Sequence, residues 1–238
     1  VPAIETKILR ALDREGLLGA PLFLVGTNAL YAYEFKAGVL LNSSLLATRD
    51  MDLLWDDRRK MSLVLAEEAA QRGVLGVLRS IDPSFALTGP RSFRAANDDG
   101  YLVDLIRPLG GPTARMGVSQ GKRMARLGPA EDDLYGVGIE GLDWLIHSPK
   151  IEEVVIGSDG LPLYVSCIDP RVFALHKWWL SRRADRNPRQ RPRDESQAKT
   201  VAMLCQQNLG QSLDSPDLSA LPDSLRAQAK TLSAQAAK

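Results

Sequence analysis

The alternation of hydrophobic and polar positions divides the chain into a strand-rich first part and a helical last part. Short apolar or alternating stretches predict strands at 23–25, 50–55, 74–78, 85–87, 92–96, 101–106, 151–156 and 161–167. Helical spacing predicts helices at 3–18, 28–35, 58–72, 172–180 and 194–204, and Asp169-Pro170 is a good start for the fourth of them. The turn-rich run at 157–160 predicts a hairpin between the last two strands. We therefore expect an α/β (α+β) protein, with a small mixed β-sheet and flanking helices in residues 1–168 and a mainly helical region in residues 169–238.

The first strand stops at a sharp turn. Phe23 to Val25 form an apolar run that ends at Gly26 and Thr27, and a helix-compatible stretch follows from Asn28. A glycine at such a turn lets the backbone approach a ligand closely. The free N–H groups at the start of the next helix favour an anion. This stretch is therefore a candidate phosphate-binding turn.

The second predicted strand carries two acids, Asp50 and Asp52. Because side chains alternate along a strand, the two carboxylates point to the same side. Two neighbouring carboxylates repel each other unless a hard divalent cation lies between them. Mg²⁺ is usually bound by one or two carboxylates together with substrate phosphates. The pair therefore predicts a metal site beside the phosphate-binding turn.

A third acid, Asp104, lies in the strand predicted at 101–106 and shares a face with Leu102 and Ile106. An unpaired acid among apolar neighbours is costly, so either a metal or an arginine should meet it. The alternative to a metal is a buried aspartate paired with Arg94 across a hairpin. The turn-rich sequence from Asn97 to Gly100 predicts that hairpin.

The combination of Val25-Gly26-Thr27, Asp50-Met51-Asp52 and Asp104 resembles the motif of the polymerase-β-like nucleotidyltransferase superfamily. Thr27 stands where that pattern usually has Gly or Ser, and the spacer at 28–49 is longer than in compact members. The longer spacer and the run Gly26-Thr27-Asn28-Ala29-Leu30 are similar to those of bacterial minimal nucleotidyltransferases, including toxin-type ones.

The resemblance implies a nucleotidyltransferase fold and transfer of a nucleoside monophosphate from an NTP to a hydroxyl, with release of pyrophosphate. Asp50, Asp52 and Asp104 would be the catalytic and metal-binding residues, with Mg²⁺ or Mn²⁺. The nucleotide, with ATP as one candidate, would contact Gly26, Thr27, Asn28 and Lys177. The alternative for Lys177 is a surface lysine whose stem covers Trp178.

Other functions agree less well with the motif. Glycosyltransferases use an Asp-x-Asp but lack the upstream glycine turn, and aspartyl-phosphate hydrolases want Thr or Val where Leu53 stands. Walker and Gly-x-Ser-x-Gly motifs are absent. A nucleotidyltransferase fold kept as a non-catalytic binding or assembly module, with a cognate protein partner, stays open.

The segment Arg182–Arg193 holds six arginines and one acid, Asp185. Such a cluster can contact the phosphates of a nucleotide or an RNA, and it can equally be a solvated connector between helices. RNA ends, proteins and small molecules all stay open as acceptors. A second polar segment, at 110–133, is expected to form a surface loop over the site.

Composition sets the broad class. The chain has 238 residues, 45% hydrophobic and 25% charged, and a net charge of +1, which gives no global attraction to nucleic acid. Two cysteines and the lack of a signal segment or long apolar run predict a cytoplasmic protein outside the membrane. Both histidines, His147 and His176, are interpreted as packing residues. The first residue is Val1, which is compatible with a trimmed N-terminus.

Overall fold

The computed structural model describes residues 1–58, 67–109 and 124–236. Its strands in chain order are β1 (Leu22–Val25), β2 (Asp50–Trp55), β3 (Ala86–Leu87), β4 (Arg94–Ala96), β5 (Leu102–Pro108), β6 (Met124–Arg126), β7 (Tyr135–Ile139), β8 (Lys150–Ile156) and β9 (Pro162–Ile168). Its helices are α1 (Ala3–Arg14), α2 (Leu30–Ala37), α3 (Ser43–Leu46), α4 (Glu67–Ile81), α5 (Leu142–His147), α6 (Pro170–Arg182), α7 (Arg191–Gln207), α8 (Asp223–Arg226) and α9 (Ala229–Ala236). The expected α/β class with a mixed sheet and a helical C-terminal part is confirmed.

The strands form one mixed sheet in the order β3-β4-β5-β2-β1-β9-β8. The pair β1/β2 is antiparallel, whereas β2 and β5 run parallel. On the side of β5 away from β2, β4 pairs with its first half and β7 with its second half. The predicted hairpins β4/β5 and β8/β9 are both present. This arrangement puts β2 and β5, the acid-bearing strands, in the interior of the sheet.

The strand β2 is where the sequence pattern and the structure agree best. Met51, Leu53 and Leu54 are fully buried. Asp50 and Asp52, which alternate with Met51 and Leu53, are half-buried. The predicted bounds of 50–55 match the observed strand. The alternation therefore orients both carboxylates toward the opposite face of the sheet from Met51 and Leu53.

The stretch 74–78, expected to be a strand, is helical. It forms the last part of α4, which the backbone of Gly73 (φ +64°) interrupts. After that break the buried carboxylate of Asp133 accepts hydrogen bonds from the N–H groups of Val74 and Leu75, at 3.0 and 2.8 Å. An acid that satisfies the first free N–H groups acts as a helix cap. Of the helix predicted at 58–72, residues 67–72 form the start of α4, as expected, and 59–66 lie outside the described residues. Of the surface loop predicted at 110–133, residues 110–123 also lie outside the described residues, and 124–126 form the strand β6.

The helical region packs into the same hydrophobic core as the sheet. Asp169 caps α6 by accepting a hydrogen bond from the Arg171 N–H at 2.8 Å, and Pro170 occupies its first turn, as predicted. Phe173 of α6 meets the ring of Tyr33 edge to face at 5.4 Å. The proposed division at residue 168 stays a prediction. No helix in the described ranges combines the length and the apolar character needed to cross a bilayer.

Candidate active site

Three acidic side chains and one arginine meet on one face of the sheet. In the register of the strands, Asp104 of β5 stands directly opposite Asp52 of β2 on one side and Arg94 of β4 on the other. Residues opposite each other on neighbouring strands point to the same face. Asp50 shares that face by its period of two from Asp52. The structure thus brings Asp50, Asp52 and Asp104 into one cavity, which they line together.

The turn after β1 lies against this acidic cluster. Gly26 adopts φ +66°, and a Cβ built on it would lie 3.2 Å from Cγ of Asp52 and 3.4 Å from its Cβ. A side chain at this position would be strained by its backbone and would also displace the Asp52 carboxylate. A 3₁₀ turn, Gly26–Ala29, follows and leads into α2. The glycine is therefore needed for the close approach of the turn to Asp52.

Thr27 and Asn28 are near the cavity but are absent from its described wall. The Thr27 hydroxyl accepts a hydrogen bond from Nε2 of Gln197, at 3.3 Å. The amide of Asn28 is buried and donates to the carbonyl oxygen of Asp50, at 2.8 Å. Asn28 thus fixes the start of β2, and a nucleotide contact by its side chain stays a prediction.

The Asp52 carboxylate is the most perturbed acid of the cluster. Burial raises its pKa to about 7, and the neighbouring charges of Asp50 and Asp104 add to the rise. Among the described residues it receives no hydrogen bond, whereas Asp50 accepts one from the Thr48 hydroxyl. The positive charges of Lys177 and Arg186 oppose this rise in pKa without cancelling it, so a charged carboxylate in this position is only partly compensated. A cation bound beside it would complete that compensation.

Asp104 is already paired in this structure. Both its oxygens accept hydrogen bonds from Arg94, at 2.6 Å from Nε and 2.6 Å from Nη2. The carboxylate side chain is 8% exposed and the arginine 36%. The arginine partner weighed from the sequence is therefore present. Asp104 can bind a cation or a nucleophile only after Arg94 turns away.

Two further cations face the acids from the helical region. Lys177 of α6 and Arg186 both line the cavity, and both contact the buried carboxylate of Asp194 at the start of α7. The Lys177 Nζ lies 2.8 Å from Oδ1 and the Arg186 Nε 2.7 Å from Oδ2. Burial alone would raise the pKa of Asp194, but the two cations outweigh it and lower the pKa. Asp194 therefore holds Lys177 and Arg186 in fixed positions.

The residues of the cavity suit a magnesium or manganese ion in part. Hard cations prefer carboxylate oxygens, which Asp50 and Asp52 supply from adjacent positions of one strand face. No group of three or more acidic, histidine or cysteine side chains in the described ranges is placed so that it could hold a metal ion. Both oxygens of Asp104 are hydrogen-bonded to Arg94. Asp50 and Asp52 are thus the side chains of the cavity that would hold a metal.

The arginine-rich segment is largely used inside the molecule. Arg183 pairs with Asp185 and Glu140, and Arg182 stacks on Trp178 with its Cζ 3.0 Å from the ring centroid. Arg191 and Arg193 donate to backbone carbonyl oxygens. Of the six arginines, only Arg189 makes no side-chain contact with the described residues. Most of this segment therefore ties the two helices to the rest of the chain, and a contact with RNA stays a prediction.

Sequence reasoning missed several residues of the site. Arg186 was predicted only as one of six arginines in a cluster, and Asp194 was not predicted to hold two cations, because that role depends on a contact between α6 and α7. His176 was interpreted as a packing residue, yet its ring lines the cavity. The strand β7 was not expected because Gly136 and Gly138, which alternate with Tyr135, Val137 and Ile139, are typical of loops rather than strands.

Comparison with known proteins gave one result. A family model described as "Nucleotidyltransferase" matches residues 4–222. Searches of curated proteins and of solved structures gave no significant match. The matched range includes every residue of the cavity wall described above.

Proposed function

Because the chain belongs to the nucleotidyltransferase family, we propose that it is a metal-dependent enzyme that transfers a nucleoside monophosphate from an NTP to a hydroxyl acceptor. Pyrophosphate is the leaving group, and an RNA end or a protein hydroxyl is the proposed acceptor. The observation that supports this proposal most strongly is that Asp50, Asp52 and Asp104 line one cavity beside the Gly26 turn. Assignment to the polymerase-β-like or toxin-type subclass is finer than the family match and stays a prediction.

The charges of the cavity separate into two groups that suit a metal and a polyphosphate. Asp50 and Asp52 would hold Mg²⁺ or Mn²⁺, which neutralises charge on the reacting phosphate and on the attacking and leaving oxygens. Lys177 and Arg186 face them and supply positive charge for a triphosphate. The backbone at Gly26, which lines the cavity, and at the adjoining Thr27 would contact the β and γ phosphates.

Asp104 has the role of accepting the proton of the acceptor hydroxyl and completing the metal site. Its carboxylate is next to Asp52 across two parallel strands. In this structure Arg94 donates hydrogen bonds to both oxygens of Asp104, so Arg94 must move before Asp104 can accept the proton. An anionic triphosphate near Arg94 offers that side chain an alternative partner.

The matched test compares Asp52→Asn with Asp99→Asn, an exposed aspartate on the β4/β5 turn. We expect Asp52→Asn to lose Mg²⁺-dependent NTP binding and labelled product formation with total RNA or protein as acceptor. It should also be more stable than the wild type without metal, since the mutation removes like-charge repulsion from Asp50 and Asp104. Asp99→Asn should behave as the wild type. Equal NTP binding by both variants would contradict the proposal.

A non-catalytic binding module is the second candidate, and the Arg94–Asp104 pair favours it, because a module without chemistry has no need to free Asp104. The two functions differ in turnover. Pyrophosphate release that depends on Mg²⁺ and on an acceptor supports the enzyme. Mg²⁺-dependent NTP binding without pyrophosphate release under any acceptor supports the module.

A further inference from the structure

The cavity continues from the acids into an apolar end. Its volume is about 350 Å³, within the range of small-molecule sites. The apolar end is formed by side chains of β5, β7, α5 and α6, namely Ile106, Val137, Ile139, Leu142, Leu145, Phe173 and Leu180. Ile106 is two positions along β5 from Asp104, on the same face, and stands opposite Val137 of β7. The apolar end is therefore directly next to the acidic end, one strand further across the sheet.

One face of α6 covers both ends. Phe173, His176, Lys177 and Leu180 recur at helical spacing and all line the cavity. Lys177 is directed to Asp194 at the charged end. Phe173 and Leu180 extend the apolar wall. His176 is thus the polar side chain that α6 contributes to the apolar end.

His176 has an unused hydrogen-bonding atom. The residue is 8% exposed, and its Nε2 has no hydrogen-bond partner among the described residues. Its ring stacks on Trp179, with the centroids 5.5 Å apart and the planes 30° apart. Burial lowers the pKa of the imidazole to about 3, and the charge of Lys177 acts in the same direction. The ring is therefore neutral and fixed, with a nitrogen whose desolvation is uncompensated.

We propose that the apolar end binds the nucleobase of the NTP and that Nε2 of His176 hydrogen-bonds to the edge of the base. The inference rests on the proposed function and identifies the part of the same cavity that recognises the nucleoside. Largely apolar walls with a few polar atoms suit a flat heteroaromatic ring. Besides His176, the wall of the same cavity includes Glu140, directly after Ile139, and Gln190, which can also contact polar atoms of a nucleoside. An RNA or a folded protein is too large to enter it.

Tripolyphosphate provides the discriminating probe, because it has the phosphate chain without the nucleoside. We expect His176→Phe, which keeps an aromatic ring beside Trp179, to weaken Mg²⁺-dependent binding of the preferred NTP about 10-fold. Binding of tripolyphosphate with Mg²⁺ should be unchanged. The control is His147→Phe, an exposed histidine whose Nδ1 contacts the carbonyl oxygen of Asp143 outside the cavity. It should bind both probes as the wild type does.

A second cavity variant keeps the proposal testable if substitution of His176 impairs folding. Ile139 of β7 lines the apolar end and is 40% exposed, so Ile139→Trp adds bulk at a tolerant position. It should weaken NTP binding and spare tripolyphosphate, whereas Ile156→Trp, at a 49% exposed position on β8, should change neither.

The outcomes separate the two proposals. Unchanged NTP affinity in both cavity variants, or equal losses for NTP and tripolyphosphate, would overturn the base site and leave the proposed function intact. A wild type that binds neither probe in the presence of Mg²⁺ would overturn both. Selective loss of NTP binding supports both.

Discussion

The close approach of Gly26 to Asp52 yields a prediction with an internal control. Gly26 and Gly38 both have a positive φ, +66° and +65°. A Cβ at Gly38, which ends α2, would meet nothing within 4 Å, whereas one at Gly26 would press on the Asp52 side chain. The variants Gly26→Ala and Gly38→Ala therefore both place alanine at a positive φ, and they differ in the contact.

The expected losses in the free energy of unfolding follow from the positive φ and from the contact with Asp52. A left-handed conformation costs a non-glycine residue roughly 1 kcal/mol, so Gly38→Ala should lower the free energy of unfolding by about 1 kcal/mol. Gly26→Ala should lose about 1 kcal/mol more, since Asp52 must leave its rotamer. The displaced carboxylate should weaken Mg²⁺-dependent NTP binding at least 10-fold, roughly 1.4 kcal/mol.

Urea unfolding and calorimetric titration with NTP and Mg²⁺ measure both quantities on both variants. Gly38→Ala should keep the wild-type affinity. If Gly26→Ala loses no more stability than Gly38→Ala and binds Mg²⁺ and NTP as the wild type does, the turn does not position Asp52 and the reasoning is wrong.

Two further predictions concern charge. The variant Arg94→Ala should bind Mn²⁺ or Mg²⁺ alone about 10-fold more tightly in a titration, because the substitution frees Asp104 and removes a nearby positive charge. Arg94→Lys should change the metal affinity less. Equal affinities in the wild type and both variants would refute competition between Arg94 and the metal for Asp104. The pKa of His176 is about 3 in the folded protein, against roughly 6.5 in the unfolded chain. As the pH drops from 6.5 toward 3, the unfolded chain therefore binds a proton at this histidine and the folded protein does not, so the free energy of unfolding falls. From pH 7 to 4 the wild type should lose about 3 kcal/mol more than His176→Asn in urea unfolding, and parallel pH profiles would contradict this.

The sequence predicted the parts of the site that depend on local pattern. The alternation in β2 oriented Asp50 and Asp52, and the turn at 97–100 placed Asp104 on the second arm of a hairpin. These features follow from the two-residue period of a strand and from turn chemistry within a few residues. Asp169 and Pro170 marked the start of α6 for the same reason.

The parts that could not be predicted depend on contacts between distant segments. The end of α4 is helical because Asp133, far along the chain, caps it after Gly73. The glycine-rich sequence of β7 forms a strand because Gly136 lies against the Trp55 ring, where a Cβ would be only 2.8 Å away. Neither reason can be read from neighbouring residues. The contacts of Asp194 with Lys177 and Arg186 likewise depend on segments that are separate in the sequence.

The charge arrangement of the cavity indicates what kind of ligand can satisfy it. Asp50 and Asp52 need a cation, while Lys177 and Arg186 are held opposite them by a single acid, Asp194. A metal ion alone leaves two positive charges to share one carboxylate, and a polyphosphate alone meets the repulsion of the aspartates. A metal bound together with a polyphosphate places each charge beside its opposite. The two ligands should therefore strengthen each other's binding equally, as linkage requires.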